Sequence, residues 1–83
     1  MWEMVAYTDV LGNPEDGWEV NNQTVMFDDL VIADDATDDD ILDYLVNIGF
    51  LITKEGVAVE DNGDMIEISE DNGFPICRLM KVS

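Results

Sequence analysis

The sequence predicts an α+β domain: a single antiparallel twisted sheet with one helix packed on one face. Three observations lead there. Apolar and polar residues alternate over most of the length, one segment repeats at helical spacing, and the residues Glu-Asp-Asn-Gly occur twice, ten positions apart. The order read from these signals is strands, one helix, then a three-stranded meander. The whole chain, 1–83, reads as a single domain, because 83 residues leave room for little else.

Residues 2–10 read as the first strand. Trp2, Met4, Ala6, Thr8 and Val10 fall on one face, and Glu3, Val5, Tyr7 and Asp9 on the other. Leu11 to Gly17 holds a dense run of turn residues, Gly12-Asn13-Pro14-Glu15-Asp16-Gly17. Trp18 to Val20 reads as a short return strand and Asn21-Asn22-Gln23 as a break. Thr24 to Phe27 is extended, and Leu30 to Ile32 continues it after an acidic interruption at Asp28-Asp29.

The helix is placed at about 38–48 by its ends and its face. Thr37 is an N-cap, and Asp40 completes an aspartate version of the capping box. Asp38, Asp39 and Asp40 fill the first turn, where the helix dipole favours negative charge. Ile41, Leu42, Leu45 and Ile48 follow at helical spacing, with Tyr44 alongside. Gly49 ends the helix in the left-handed conformation, and Phe50 folds back on Leu45 in a Schellman cap. Beyond it, Gly56 to Glu60, Met65 to Ser69 and Phe74 to Val82 read as strands. The two Asn-Gly turns between them, at 62–63 and 72–73, accept positive φ and predict the meander.

Composition bounds the function. Hydrophobic residues make up 47% of the chain, enough for a folded core. Twenty acids stand against three bases, Lys54, Arg78 and Lys81, for a net charge of −17 with no histidine. Solubility of a small domain needs a net charge of only about 2–8. The excess asks for a cationic partner, bound cations or a high-salt habitat. A domain this small buries modest apolar area, so a homodimer or a bound partner would add stability.

Cys77 lies in the apolar run Phe74 to Met80 and reads as a buried structural thiol. One cysteine permits no disulfide within the chain, which suits a reducing cytoplasm. The first residues carry Glu3 and Asp9 with no basic region, so no signal peptide is expected. The longest uncharged apolar stretch, Tyr44 to Ile52, is too short to span a bilayer. Anionic membrane surfaces would repel the chain.

Two acidic blocks are the candidate binding residues. The first is Asp28, Asp29, Asp34, Asp35, Asp38, Asp39, Asp40 and Asp43; helix capping accounts for Asp38 to Asp40 but not for the four acids upstream. The second is Glu55, Glu60, Asp61, Asp64, Glu67, Glu70 and Asp71. Residues sharing a strand face repeat at about 6.6–6.8 Å, a spacing of the right order to imitate successive phosphates. A folded carboxylate array of this kind occupies the basic site of a nucleic-acid-binding protein, which works through Lys and Arg. The alternative is an ordinary solvated sheet face. Trp18, after the flexible turn and before Glu19, is either core or an aromatic anchor beside an acidic rim.

Other chemistries are poorly served. Asp34 to Leu45 lacks the glycine and terminal glutamate of an EF-hand loop. Zinc and haem lack their usual ligands, with one cysteine and no histidine, so no cofactor is expected. Serine and cysteine hydrolase machinery needs histidine, and no glycine-rich phosphate loop is present. Paired carboxylates of a glycosidase type remain available, but so short a chain leaves little room for a deep, dry pocket. The reading is a non-enzymatic protein.

The segments Gly17-Trp18-Glu19-Val20-Asn21, Thr37-Asp38-Asp39-Asp40-Ile41-Leu42 and Pro75-Ile76-Cys77-Arg78-Leu79 resemble short proteins of uncharacterised function carried by phages and mobile elements of gut bacteria. At class level the chain is similar to phage-encoded DNA mimics: anti-CRISPR proteins, restriction inhibitors and uracil-DNA glycosylase inhibitors. The last group shares the size, the acidity and a sheet-plus-helix plan. No aligned motif carries their binding residues onto this sequence. The resemblance implies an inhibitor of a basic nucleic-acid-binding protein in the bacterial host cytoplasm, with no direct binding to nucleic acid. The first-choice contacts are Asp28, Asp29, Asp34, Asp35, Asp38, Asp39 and Asp40, then Glu60, Asp61, Glu67, Glu70 and Trp18. The alternative is a small structural or oligomerising phage protein whose acidity serves solubility or cation binding.

Overall fold

Residues 1–82 are described by the structure, a computed structural model. The elements are β1 (Trp2–Asn13), β2 (Gly17–Leu30), α1 (Asp38–Asn47), β3 (Val57–Asp61), β4 (Met65–Glu70) and β5 (Pro75–Lys81). The strands form one five-stranded sheet in the order β2-β1-β5-β4-β3, and every neighbouring pair is antiparallel. The fold is therefore α+β, rich in strand, with one short helix.

The helix forms as its caps dictate. The Thr37 hydroxyl accepts from the Asp40 N–H and the Asp40 carboxylate accepts from the Thr37 N–H, so both halves of the capping box are made. At the other end the helix stops at Asn47, with Ile48 as its C-cap. Gly49 takes φ +85°, its N–H donates to the Val46 carbonyl, and the Phe50 N–H donates to the Leu45 carbonyl. These are the two bonds of a Schellman cap.

One face of the sheet meets the helix. Trp2, Met4, Leu30, Ile66, Ile68, Cys77 and Leu79 pack with Ile41, Leu42 and Leu45 into one core. Period-two alternation sends their neighbours Glu3, Val5, Tyr7, Met65, Glu67, Arg78 and Met80 to the opposite, more open face, where Val5 alone of these is buried. Cys77 is fully buried, and burial pushes its thiol up to about 12.

The first third departs from the sequence reading. A short strand, a break and a second extended run were expected between 18 and 32. Instead β2 is continuous from Gly17 to Leu30, and the turn tightens to residues 13–17. Bulges absorb the apparent breaks. Asp28 and Asp29 lie between the pairs Trp2–Leu30 and Met4–Phe27, so two residues of β2 stand against Glu3 alone. Asn21 is an extra residue of the same kind, between Asn22 and Val20. Asn13 closes the turn by accepting from the N–H groups of Glu15 and Asp16.

The meander forms with slightly shifted bounds, but its turns differ in type from the expectation. Gly63 and Gly73 take positive φ, while no non-glycine residue does among those described, so Asn62 and Asn72 keep negative φ. A two-residue type I′ turn would need both. In the second turn the Gly73 N–H donates to the Glu70 carbonyl and the Glu70 N–H to the Phe74 carbonyl, which is a longer loop closed by a left-handed glycine.

Candidate partner-binding surface

Eighteen of the twenty carboxylates are exposed, and Glu3 and Glu67 are half-buried. Folding therefore leaves the charge on the surface, where three basic side chains can offset little of it. Lys54 reaches Asp39 and Asp43, each at 2.9 Å, from beside the helix. Those two bonds hold its ammonium charged to a higher pH than usual. Lys81 stands 3.5 Å from Asp34.

The first acidic block stays together. Asp28 and Asp29 end the edge strand β2 in its bulge. Asp34 and Asp35 follow in the link to α1, where the Ala36 N–H closes a turn on the Ala33 carbonyl. Asp38, Asp39 and Asp40 then open the helix. Within it Asp40 accepts from the free Thr37 N–H at the cap, while Asp34 and Asp39 face Lys81 and Lys54.

The second block is divided by the sheet. Asp61 pairs with Ile66, so it lies on the helix side. There it lines a groove of about 210 Å³ with Asp34, Lys81, Trp2, Ile32, Ile41 and Ile66. Asp34 and Asp61 are thus where the two blocks meet. Glu60 pairs with Glu67 on the open face, and Glu67 pairs in turn with Arg78. Glu70 sits at the far end of β4, opposite Val57, and opens the turn that holds Asp71 to Gly73. The block reads as one run in sequence because a hairpin returns on itself every few residues. In space it occupies both ends and both faces of β4.

Trp18 lies outside the main core and is half-buried. Its ring meets Phe74 edge-on at 5.0 Å, and its indole N–H donates to the Asn72 carbonyl at 3.4 Å. Much of its surface is thus engaged within the chain, fastening the β1–β2 turn region to the β4–β5 turn.

Sequence reasoning passed over Tyr7 and Arg78. The Tyr7 hydroxyl donates to both carboxylate oxygens of Glu67, at 3.0 and 2.9 Å. Burial and the Glu67 carboxylate together push the phenol up to about 12, so it remains a donor at neutral pH. Arg78 donates through Nη2 to Gln23 at 3.5 Å, and its buried Nε has no hydrogen-bond partner. Both residues sit on the outward alternation of their strands, which was a readable signal.

Among the described residues no three His, Cys, Asp or Glu side chains converge as a metal cage. Among the same residues no helix is long and apolar enough to cross a membrane. No protein-family model matches the chain, and no curated protein or solved structure matches it either.

Proposed function

We propose that the protein is a non-enzymatic inhibitor that occupies the nucleic-acid-binding groove of a host enzyme or defence complex, such as a CRISPR effector, by imitating DNA. The observation that carries this reading is the contiguous exposed carboxylate segment from Asp28 to Asp43, joined at Asp34 by Asp61 from the second block. A duplex presents about one charge per 1.7 Å of axis. A rigid acidic surface competes for the same lysines and arginines while repelling nucleic acid itself. The sheet carries Asp28 and Asp29, and the capped helix carries Asp38, Asp39, Asp40 and Asp43. Binding in a bacterial cytoplasm would then depend on charge complementarity, with Glu60, Glu67, Glu70 and Trp18 as outlying contacts.

The test is a pull-down of tagged protein from host lysate at low salt, eluted with a salt gradient. A DNA- or RNA-processing protein should elute, and its affinity should fall steeply as the Debye length shrinks from about 10 Å at 0.1 M salt to about 3 Å at 1 M. Tight binding that ignores salt over that range would sink the mimicry reading.

A second reading, a small structural or oligomerising phage protein, draws on a different observation. Acids also occur outside both blocks, at Asp9, Glu15, Asp16 and Glu19, and all four are exposed. Charge spread this widely serves solubility or diffuse cation binding. That reading predicts self-association in sedimentation runs and no affinity for nucleic-acid-binding proteins.

A further inference from the structure

We propose that the groove between the β2–α1 link and the helix takes one long basic side chain, a lysine or an arginine, from a protein partner. The inference rests on the partner being basic, as argued above, and adds where one of its side chains docks. The groove measures about 280 Å³ and is lined by Val31, Ile32, Ala33, Ala36, Ile41 and Tyr44, with Asp35 and Asp40. That volume lies at the lower end of the range for small-molecule pockets, about 300 to 1,000 Å³. Val31 is 74% exposed although it lies on this apolar lining.

The chain itself supplies the precedent. The neighbouring groove shares Ile32, Ala33, Ala36 and Ile41 with this one and also carries two carboxylates, Asp34 and Asp61. That groove has a cation of its own, because Lys81 lines it and stands 3.5 Å from Asp34. The groove at Asp35 shares those four residues, is more apolar, and has no basic residue in its lining. None of the three basic side chains is free to serve it. Lys54 is held by Asp39 and Asp43, Lys81 by Asp34, and Arg78 lies by Gln23 on the open face of the sheet. A basic side chain for this site would therefore come from a partner.

The chemistry matches a long basic side chain in both its parts. An alkyl stem lies along Val31, Ile32 and Ile41 while the charged head stays at the wet end. Asp40 already accepts from the Thr37 N–H through Oδ2, which keeps its carboxylate fixed at the helix start. Asp35 accepts the incoming head.

The experiment is an NMR titration of the full chain with Nα-acetyl-arginine methylamide and Nα-acetyl-lysine methylamide. Nα-acetyl-norleucine methylamide serves as the uncharged stem and guanidinium chloride as the stemless charge. Saturable shifts are expected at the Val31, Ala36 and Ile41 methyls and the Tyr44 ring with the two basic amides alone. Asp35→Asn should weaken binding about threefold, as for an exposed ion pair. Lys81→Ala should open the neighbouring groove, adding shifts at Asp61 and Gly63. Shifts spread evenly over all acidic segments, equal binding by Asp35→Asn, or no second site in Lys81→Ala would overturn the proposal. If the basic amides bind but no nucleic-acid-processing protein is captured from lysate, the mimicry reading fails and the groove stands. If Asp35→Asn and Val31→Ser leave that protein's capture unchanged, the groove fails and mimicry stands.

Discussion

β1 is one strand in two settings. From Trp2 to Ala6 it runs between β2 and β5, and Trp2, Met4, Val5 and Ala6 are all buried. From Tyr7 to Asn13 it pairs with β2 alone, and no residue of the resulting ribbon, 7–23, is buried. The pairing with β2 is antiparallel throughout, but only the first stretch is also bonded on its other edge. The two stretches differ as well in the apolar surface removed from water, which supplies most of a fold's stability. A two-stranded ribbon in water is marginal without support. The ribbon is held to the body at its root by Tyr7 on Glu67 and at its tip by Trp18 on Phe74. The body should therefore set the global stability, and the ribbon should open locally at lower cost.

The largest effect should come from the body. Leu45 is fully buried at the centre of the helix face, among Met4, Ile66, Ile68 and Leu79. Leu45→Ala should cost about 2–5 kcal/mol, the range for buried leucine truncation. Urea unfolding followed by circular dichroism measures it. A loss under about 1 kcal/mol would mean that the helix contributes little to the core.

The root of the ribbon comes next. Tyr7→Phe removes a hydrogen bond to a carboxylate, for which about 1.5 kcal/mol is the lower end of the usual range, and half-burial favours that end. It should also change the alkaline limb of the stability curve. The native phenol is pushed up to about 12 from an ordinary 10.0, so between those values the unfolded chain loses its proton first. Stability is full below the ordinary value and falls as pH rises through the native one. Tyr7→Phe should flatten that fall, leaving the part due to the raised thiol of Cys77. Urea midpoints from pH 9 to 12 decide it, and an unchanged slope would remove Tyr7 as the fastening.

Sequence alone made the body legible and the ribbon poorly so. The capping box at Thr37, the glycine stop at Gly49 and the alternation of Ile66, Glu67 and Ile68 each follow from local rules that the tertiary structure also obeys. The ribbon obeys pairing rules instead. Asp28-Asp29 and Asn21-Asn22-Gln23 look like breaks to any propensity argument, yet a bulge takes up the extra residue and the strand continues. The candidate site divided the same way. The acids of 28–43 lie together because they are adjacent in the chain. Glu67 and Asp61 fall on opposite faces, which needed the cross-strand register to see. The groove at Asp35 depends on how the link folds against α1, and no residue pattern announces that.

Trp18→Ala tests the tip. An aromatic pair contributes about 1 kcal/mol beyond its area, and most of the loss should appear locally. Hydrogen exchange at Val10, Glu19 and Val20 should quicken, while Ile66, Ile68 and Leu79 keep their protection. Equal quickening in both sets would mean that ribbon and body open as one unit.

The smallest effect should come from the same chemical change made in the ribbon. Leu11→Ala deletes the atoms that Leu45→Ala deletes, but Leu11 is 51% exposed and paired with Glu19 in the two-stranded part. Surface substitutions of this kind stay within about 0.5 kcal/mol. The two substitutions thus delete the same atoms at a buried helix position and at an exposed strand position. A loss at Leu11 above about 1 kcal/mol would mean that the ribbon is covered in solution. If that loss grew with protein concentration, the cover would be a second copy of the chain. Self-association would then explain why so exposed a strand pair retains Leu11, Val20, Val25 and Met26 on its surface.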